Sequence, residues 1–135
     1  MFYYLFESRT KRANAPFIVH LTGGPGFSSS LALFFDDVQV ASILFVDQPI
    51  GTGFSYSTSE TDIPTTSEKV AVDFYNFLQE FLKKRPEYAK KDLYISGESY
   101  AGHYIPAVAA RINHGNNNNQ GPPIKLKVHI LYVYY

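Results

Sequence analysis

The chain has 135 residues, 45% of them hydrophobic, which excludes a disordered polymer and fits one domain with one core. Twelve basic residues balance twelve acidic ones, so no net charge favours nucleic acid or an anionic membrane as a partner. The absence of cysteine excludes disulfides and thiolate metal sites, and no apolar run reaches the roughly 18 residues of a membrane span.

Apolar runs in the first third of the chain predict three strands. Residues 1–7 are apolar but short, with no basic segment before them, so we predict a strand there and not a signal peptide. Residues 17–21 and 43–46 are compact apolar runs typical of buried strands. A glycine-rich turn at 22–26 follows the first of these runs, and residues 31–35 are predicted to form a short helix.

The middle of the chain contains the clearest helical pattern. Residues 65–85 have one apolar stripe and a capping box formed by Thr65 and Glu68, and Pro86 is predicted to end the helix. The stripe is formed by Val70, Phe74, Phe77, Leu78, Phe81 and Leu82.

The last third of the chain predicts a strand, a turn, a helix and another strand. The strands are expected at 93–96 and 124–130, and the helix at 104–112, where Pro106 should bend it or shift its start. The asparagine run at 116–119 predicts a loop. Strands alternating with helices and glycine-rich turns favour an α/β fold with a largely parallel sheet.

A serine lies on the predicted strand-to-helix turn. Ser99 has Gly97 and Ala101 two positions to either side, a spacing typical of a nucleophile elbow, where small residues let the helix pass close to the strand. The glycine-rich turn at 22–26 would supply one backbone N–H to an oxyanion hole, and Tyr100 would supply the other. Each motif alone also fits a plain structural turn, but the two occur in the order that an α/β-hydrolase requires.

Three ordered blocks resemble the serine carboxypeptidase family, its plant members most closely. Residues 97–106 are similar to the active-serine signature, residues 46–57 to a second block, and residues 20–29 to a third. The resemblance extends from Met1 to about Lys127, with an apparent deletion between Phe35 and Ile43. It implies an α/β-hydrolase fold, of which residues 1–135 would form a single partial domain containing the N-terminal portion of the mixed, mostly parallel sheet.

The same resemblance implies roles for individual residues. Ser99 would be the nucleophile, and the amides of Gly24 and Tyr100 would form the oxyanion hole. Glu98 would bind the C-terminal carboxylate of a peptide substrate, which requires its own carboxyl group to be protonated. Asp36 stands where relatives have a glutamate that shares this role, and Thr22 stands where they have an asparagine that contacts the carboxylate. No cofactor or metal is expected.

Several positions depart from the family pattern. His20 replaces a tryptophan, and Phe27 replaces a cysteine that is disulfide-bonded in relatives. The catalytic acid and base of this fold follow the serine in the order Ser, Asp, His, yet no Asp or Glu occurs after Ser99. The histidines that follow it are interpreted as a packing or surface residue, a solvated residue and a strand residue, in the order His103, His114 and His129. We therefore predict little or no peptidase activity for this chain.

Three functions remain open from the sequence. The first is release of C-terminal residues from peptides through an acyl-enzyme on Ser99. The second is acyl transfer, which some plant relatives of the same fold perform with the same serine. The third is a non-catalytic binding or dimerisation module that self-associates through an exposed edge strand ending at residues 131–135. The resemblance implies a secreted or vacuolar protein.

Overall fold

The structure, a computed structural model, describes residues 1–10, 15–30 and 40–132, and for residues 128–132 only the backbone. Within these residues the chain forms five strands and three α-helices. The strands are β1 (Tyr3–Phe6), β2 (Phe17–Leu21), β3 (Ser42–Val46), β4 (Leu93–Glu98) and β5 (Leu126–Tyr132). The helices are α1 (Ser67–Lys84), α2 (Pro86–Ala89) and α3 (Ala101–Asn117). The helix predicted at 31–35 lies outside the described residues.

The strands form one sheet in the order β1-β3-β2-β4-β5. Strand β1 is antiparallel to β3, and the other neighbours are parallel. This confirms the predicted mixed, mostly parallel sheet. Because β2, β3 and β4 run in the same direction, the loops that follow them meet at the carboxyl ends of these strands. Open α/β sheets place their ligand-binding sites there.

The main core lies between one face of the sheet and helices α1 and α3. Alternate residues of β2, including Phe17 and Val19, point into it, and the Phe17 ring stacks on Phe81 of α1 with centroids 5.7 Å apart. A smaller cluster on the opposite face contains Ile43 and Phe45 of β3. Every residue of β3 is buried, as expected for a central strand covered on both faces.

Helix α1 confirms the predicted stripe and corrects its start. Five stripe residues are buried and Phe77 is partly buried. The N-cap is Thr66, whose Oγ1 accepts a hydrogen bond from the amide of Lys69 at 3.3 Å. The capping box predicted at Thr65 is therefore wrong by one residue. Arg85 is the C-cap residue of α1, and the next helix, α2, begins at Pro86.

Helix α3 is longer at both ends than the sequence predicted. It begins before Pro106, whose ring is exposed, and buried residues of the opposite face hold it against the core. It continues into the predicted asparagine loop because the Asn116 side chain forms two hydrogen bonds with the backbone of Ile124. Asn116 Nδ2 donates to the Ile124 carbonyl oxygen at 2.8 Å, and the Ile124 amide donates to Asn116 Oδ1 at 2.9 Å. Strand β5 begins two residues later than predicted.

Candidate active site

Ser99 occupies a sharp turn between β4 and α3. Strand β4 ends at Glu98 and α3 begins at Ala101, which leaves two residues to reverse the chain. Ser99 has φ of +55°, in the left-handed region, and its side chain is exposed. A residue with a side chain costs roughly 1–2 kcal/mol in this conformation. The turn thus has the strained backbone and projecting hydroxyl of a nucleophile elbow.

The small residues beside Ser99 are required by close packing. A Cβ added at Gly97 would collide with the carbonyl oxygen of Leu21 and lie 2.7 Å from the Cβ of Ala101. Ala101 is itself fully buried. Larger side chains at either position would force α3 away from the sheet, which confirms the packing reason expected from the sequence.

The loop that follows β2, residues 22–30, lies directly against the elbow, and we name it the oxyanion loop. A Cβ added at Gly23 would collide with the amide nitrogen of Tyr100 and lie 2.8 Å from the carbonyl oxygen of Glu98. Gly24 follows with φ of +108°. The two segments predicted to supply an oxyanion hole are therefore adjacent.

Thr22 shapes the interior of the oxyanion loop. It is 4% exposed, its Oγ1 donates to the carbonyl oxygen of Phe27 at 2.7 Å, and it lies 3.1 Å from Ser29 Oγ. The amide of Phe27 donates to the carbonyl oxygen of Gly23 at 3.2 Å, which closes the turn. The Thr22 hydroxyl thus forms hydrogen bonds within the loop, and its contact with a substrate carboxylate remains a prediction.

Of the other predicted carboxylate-binding residues, only Glu98 lies in the described part of the chain. It is half-buried at the end of β4, next to Ser99 and with its carbonyl oxygen against Gly23. Asp36 lies outside the described residues. The role of Glu98 remains a prediction.

Tyr104 forms a second link between α3 and the oxyanion loop. Burial and the neighbouring Tyr100 phenol raise its pKa, and a hydrogen bond from the backbone of Gly26 partly opposes that rise. The Tyr100 ring contacts two rings of α3, with centroids 5.1 Å from Tyr104 and 4.6 Å from His103. Tyr104 therefore connects α3 both to the elbow residue Tyr100 and to the oxyanion loop.

Three histidines lie in the part of the chain that the structure describes with side chains. His20 is buried on β2, with its Nδ1 3.1 Å from Ser96 Oγ. His103 is exposed on α3 and contacts the Tyr100 ring, while His114 is exposed near the C-terminus of the helix, beside Asn118. None of these three contacts joins a histidine to the Ser99 hydroxyl. The side chain of His129 lies outside the described residues.

The described residues contain no group of three or more His, Asp or Glu side chains arranged to hold a metal ion. They also contain no helix that is both long enough and apolar enough to cross a membrane.

Sequence reasoning missed one buried residue at this edge of the sheet. Asp47, directly after β3, is 1% exposed and lies between the oxyanion loop and the glycine-rich loop at 51–57. A charged residue at the end of a fully buried strand is the signal that could have identified it, because an isolated buried carboxylate is costly.

Known proteins that resemble this chain agree on one family. The sequence profile of the family described as serine carboxypeptidase matches residues 1–37 and 38–132. Serine carboxypeptidase-like 47 of Arabidopsis thaliana is 46% identical over 94% of this chain and 28% of its own length. Serine carboxypeptidase 3 of Oryza sativa subsp. japonica is 48% identical over 94% of this chain and 29% of its own length. The chain thus spans less than a third of these two relatives.

A shorter relative and a solved structure extend this comparison. Putative serine carboxypeptidase-like 54 of Arabidopsis thaliana is 46% identical, and the match covers 95% of this chain and 67% of that protein. The crystal structure of Kex1ΔP, a prohormone-processing carboxypeptidase from Saccharomyces cerevisiae, superposes with a TM-score of 0.82 at 29% identity, over 96% of this chain and 33% of that one. The fold is therefore that of the α/β-hydrolases, as predicted.

Proposed function

The chain belongs to the serine carboxypeptidase family, and we propose that Ser99 is its nucleophile for releasing a C-terminal residue from a peptide. The observation that carries this proposal is the left-handed turn at Ser99 with Gly23 packed against the Tyr100 amide. That arrangement brings an exposed hydroxyl beside two backbone segments able to stabilise an oxyanion.

The proposed reaction has two steps. Ser99 Oγ attacks the last peptide carbonyl, and the amides of Gly24 and Tyr100 bind the oxygen that becomes negatively charged. Collapse of this intermediate breaks the C–N bond, expels the C-terminal amino acid and leaves an ester on Ser99, which water then hydrolyses. A base must accept the serine proton and pass it to the leaving amine.

We expect the proposed reaction to be slow when these 135 residues are tested by themselves. No Asp or Glu follows Ser99 to orient a base in the order that the fold uses. Loss of the base in a comparable triad lowers turnover by about a millionfold. The rate enhancement that remains without the base would come from the elbow, the oxyanion loop and Glu98. We propose Glu98 as the residue that binds the substrate carboxylate.

Covalent labelling tests this proposal. The purified chain would be incubated with a fluorophosphonate, and adducts would be mapped by mass spectrometry, with Ser99→Ala as the control. We expect slow labelling confined to Ser99 and none in the variant. Labelling spread equally over other serines, or none after prolonged exposure, would contradict the nucleophile assignment. Stoichiometric labelling within seconds would contradict the predicted loss of activity.

A non-catalytic binding or dimerisation module is a second candidate function, favoured by the position of β5 as an outermost strand of the sheet.

Acyl transfer would use the same acyl-enzyme as peptide hydrolysis. Product analysis with a glucose ester and with a peptide separates acyl transfer from hydrolysis. We also propose a secreted or vacuolar location from family membership, which a fluorescent fusion in plant cells would test.

A further inference from the structure

Asp47 combines deep burial with negative charge at the catalytic edge of the sheet. It is 1% exposed. Within residues 1–10, 15–30 and 40–132, no basic side chain forms an ion pair with it. A carboxylate in such a place is tolerated only when hydrogen-bond donors satisfy its oxygens. Its donors therefore indicate what the residue does.

One carboxylate oxygen of Asp47 holds the far end of the oxyanion loop. Oδ1 accepts hydrogen bonds from Ser28 Oγ at 2.6 Å, from the Ser30 amide at 3.3 Å and from Ser30 Oγ at 3.2 Å. Hydrogen bonds to a charged acceptor are roughly twice as strong as neutral ones. The loop is thus tied to the end of β3.

The other oxygen of Asp47 holds the glycine-rich loop at 51–57. Oδ2 accepts from the Phe54 amide at 3.0 Å, and a Cβ added at Gly53 would collide with the carboxylate. The Asp47 carbonyl oxygen accepts from Ser55 Oγ at 2.5 Å, and that hydroxyl accepts from the Phe2 amide at 2.7 Å. One residue therefore joins three segments that are distant in sequence.

A short series of contacts connects the hydrogen bond between Asp47 and Ser28 with the elbow at Ser99. Ser28 follows Phe27, whose amide closes the turn onto Gly23, and Gly23 lies against the Tyr100 amide. We propose that Asp47 is a positioning residue, whose buried carboxylate fixes the oxyanion loop so that the Gly24 amide faces the intermediate on Ser99. This inference rests on the proposed function, because it assumes an intermediate bound by that loop.

The experiment compares Asp47→Asn with the parent chain. Asparagine keeps the size of the side chain but presents an NH₂ group to a site where every described neighbour donates a hydrogen bond. Two ligands would be titrated: a peptide boronic acid, which forms a tetrahedral adduct with serine, and a peptide with a free carboxylate. We expect the variant to bind the boronate at least about tenfold more weakly, with peptide affinity within about twofold. A purely structural role would not separate the two ligands. The control is Asp92→Asn, an exposed acid at the opposite end of β4.

A second measurement separates failure of this inference from failure of the proposed function. Hydrogen exchange of residues 22–30 should accelerate in Asp47→Asn while β2 and β4 remain unchanged. If the parent binds no boronate, the proposed function is wrong and exchange alone decides the role of Asp47. Unchanged exchange in the loop, or equal loss of both ligands, overturns the inference. Should Asp47→Asn fail to fold, Ser28→Ala removes the shortest hydrogen bond to the Asp47 carboxylate and is held to the same exchange criterion.

Discussion

Ser99 combines an exposed hydroxyl with a backbone conformation that disfavours any side chain. Its φ of +55° costs roughly 1–2 kcal/mol, and glycine would remove that cost while losing about 0.4–1 kcal/mol through greater freedom when unfolded. We therefore expect Ser99→Gly to raise the free energy of unfolding by about 0.5–1 kcal/mol and to abolish labelling. Chemical denaturation measures the first effect.

Ser99→Ala is the matched control for that prediction. Alanine also removes the nucleophile but keeps a Cβ at positive φ, so its stability should match that of the parent. Equal stability of the glycine and alanine variants would show that the turn is unstrained in solution. A gain confined to Ser99→Gly would support a cost in stability at the reactive residue.

Gly23 is the residue through which the oxyanion loop touches the elbow. Gly23→Ala places a methyl group on the Tyr100 amide, and such overpacking costs about 1–3 kcal/mol. We expect the variant to lose both stability and Ser99 labelling, because the loop and the elbow must separate. Thermal unfolding and mass spectrometry measure the two effects.

Gly26 offers the comparison within the same loop. A Cβ there would have Thr52 Oγ1 as its nearest neighbour at 3.8 Å, although φ of +84° makes alanine strained. Gly26→Ala should lose a similar amount of stability, about 1–2 kcal/mol, and retain labelling. Loss of labelling in both variants would refute a specific contact at Gly23.

Helix α1 shows where sequence reasoning was one residue wrong. Thr66, not Thr65, caps the helix, so Thr66→Ala should lower the free energy of unfolding by about 1 kcal/mol. The Thr65 side chain is exposed and makes no described capping hydrogen bond. Thr65→Ala should therefore change the free energy of unfolding little. Urea unfolding of both variants distinguishes the two threonines, and the reverse order would restore the cap predicted from the sequence.

Asp73 on α1 predicts a pH dependence of stability. Partial burial, followed by repulsion from Asp62, raises its pKa above the ordinary value of 3.8. A raised carboxyl pKa gives stability that is present below 3.8 and lost as pH rises through the folded value. Asp73→Asn should therefore stabilise the chain at neutral pH and have little effect once the parent carboxyl is protonated.

Urea midpoints at about pH 7 and about pH 3 would test this dependence. Glu60→Gln, an exposed acid in the short 3₁₀ turn before α1, is the control and should show no comparable difference. A larger gain for Asp73→Asn in acid than at neutral pH would reverse the sign and refute the argument.

Local patterns predicted the elements and the elbow better than the contacts around them. Gly97, Ser99 and Ala101 could be identified because their spacing reports a backbone geometry within one turn. The extension of α3 depends on Asn116 bonding Ile124, and the role of Asp47 depends on donors from two other loops. Hydrogen bonds that join separate segments leave no periodic signal in the sequence.

At the scale of the molecule, the parallel direction of β2, β3 and β4 explains why the candidate site forms where the carboxyl ends of these strands meet. The loops after β2, β3 and β4 contain the oxyanion loop, Asp47 and Ser99, so residues far apart in sequence become neighbours. Among the strands of residues 1–10, 15–30 and 40–132, β1 and β5 are the outermost two. An edge strand has one row of backbone groups free to pair with another chain.

Strand β5 is the longer of the two edges, with seven residues against four in β1. We predict that the 135-residue chain self-associates through β5, which light scattering over a range of concentrations would detect. Lysine on an edge strand opposes such pairing. Leu131→Lys and Tyr132→Lys are made separately, and only a variant whose circular dichroism matches that of the parent is compared.

The opposite edge supplies the control for this last prediction. Tyr4→Lys adds the same charge to β1, where Tyr4 is 37% exposed, and should leave association through β5 unchanged. If the folded β5 variant dissociates while Tyr4→Lys does not, the pairing surface is β5. A chain that stays monomeric at every concentration, or that dissociates equally with either change, would rule out β5 as the surface and remove the observation that favours a binding module over an enzyme.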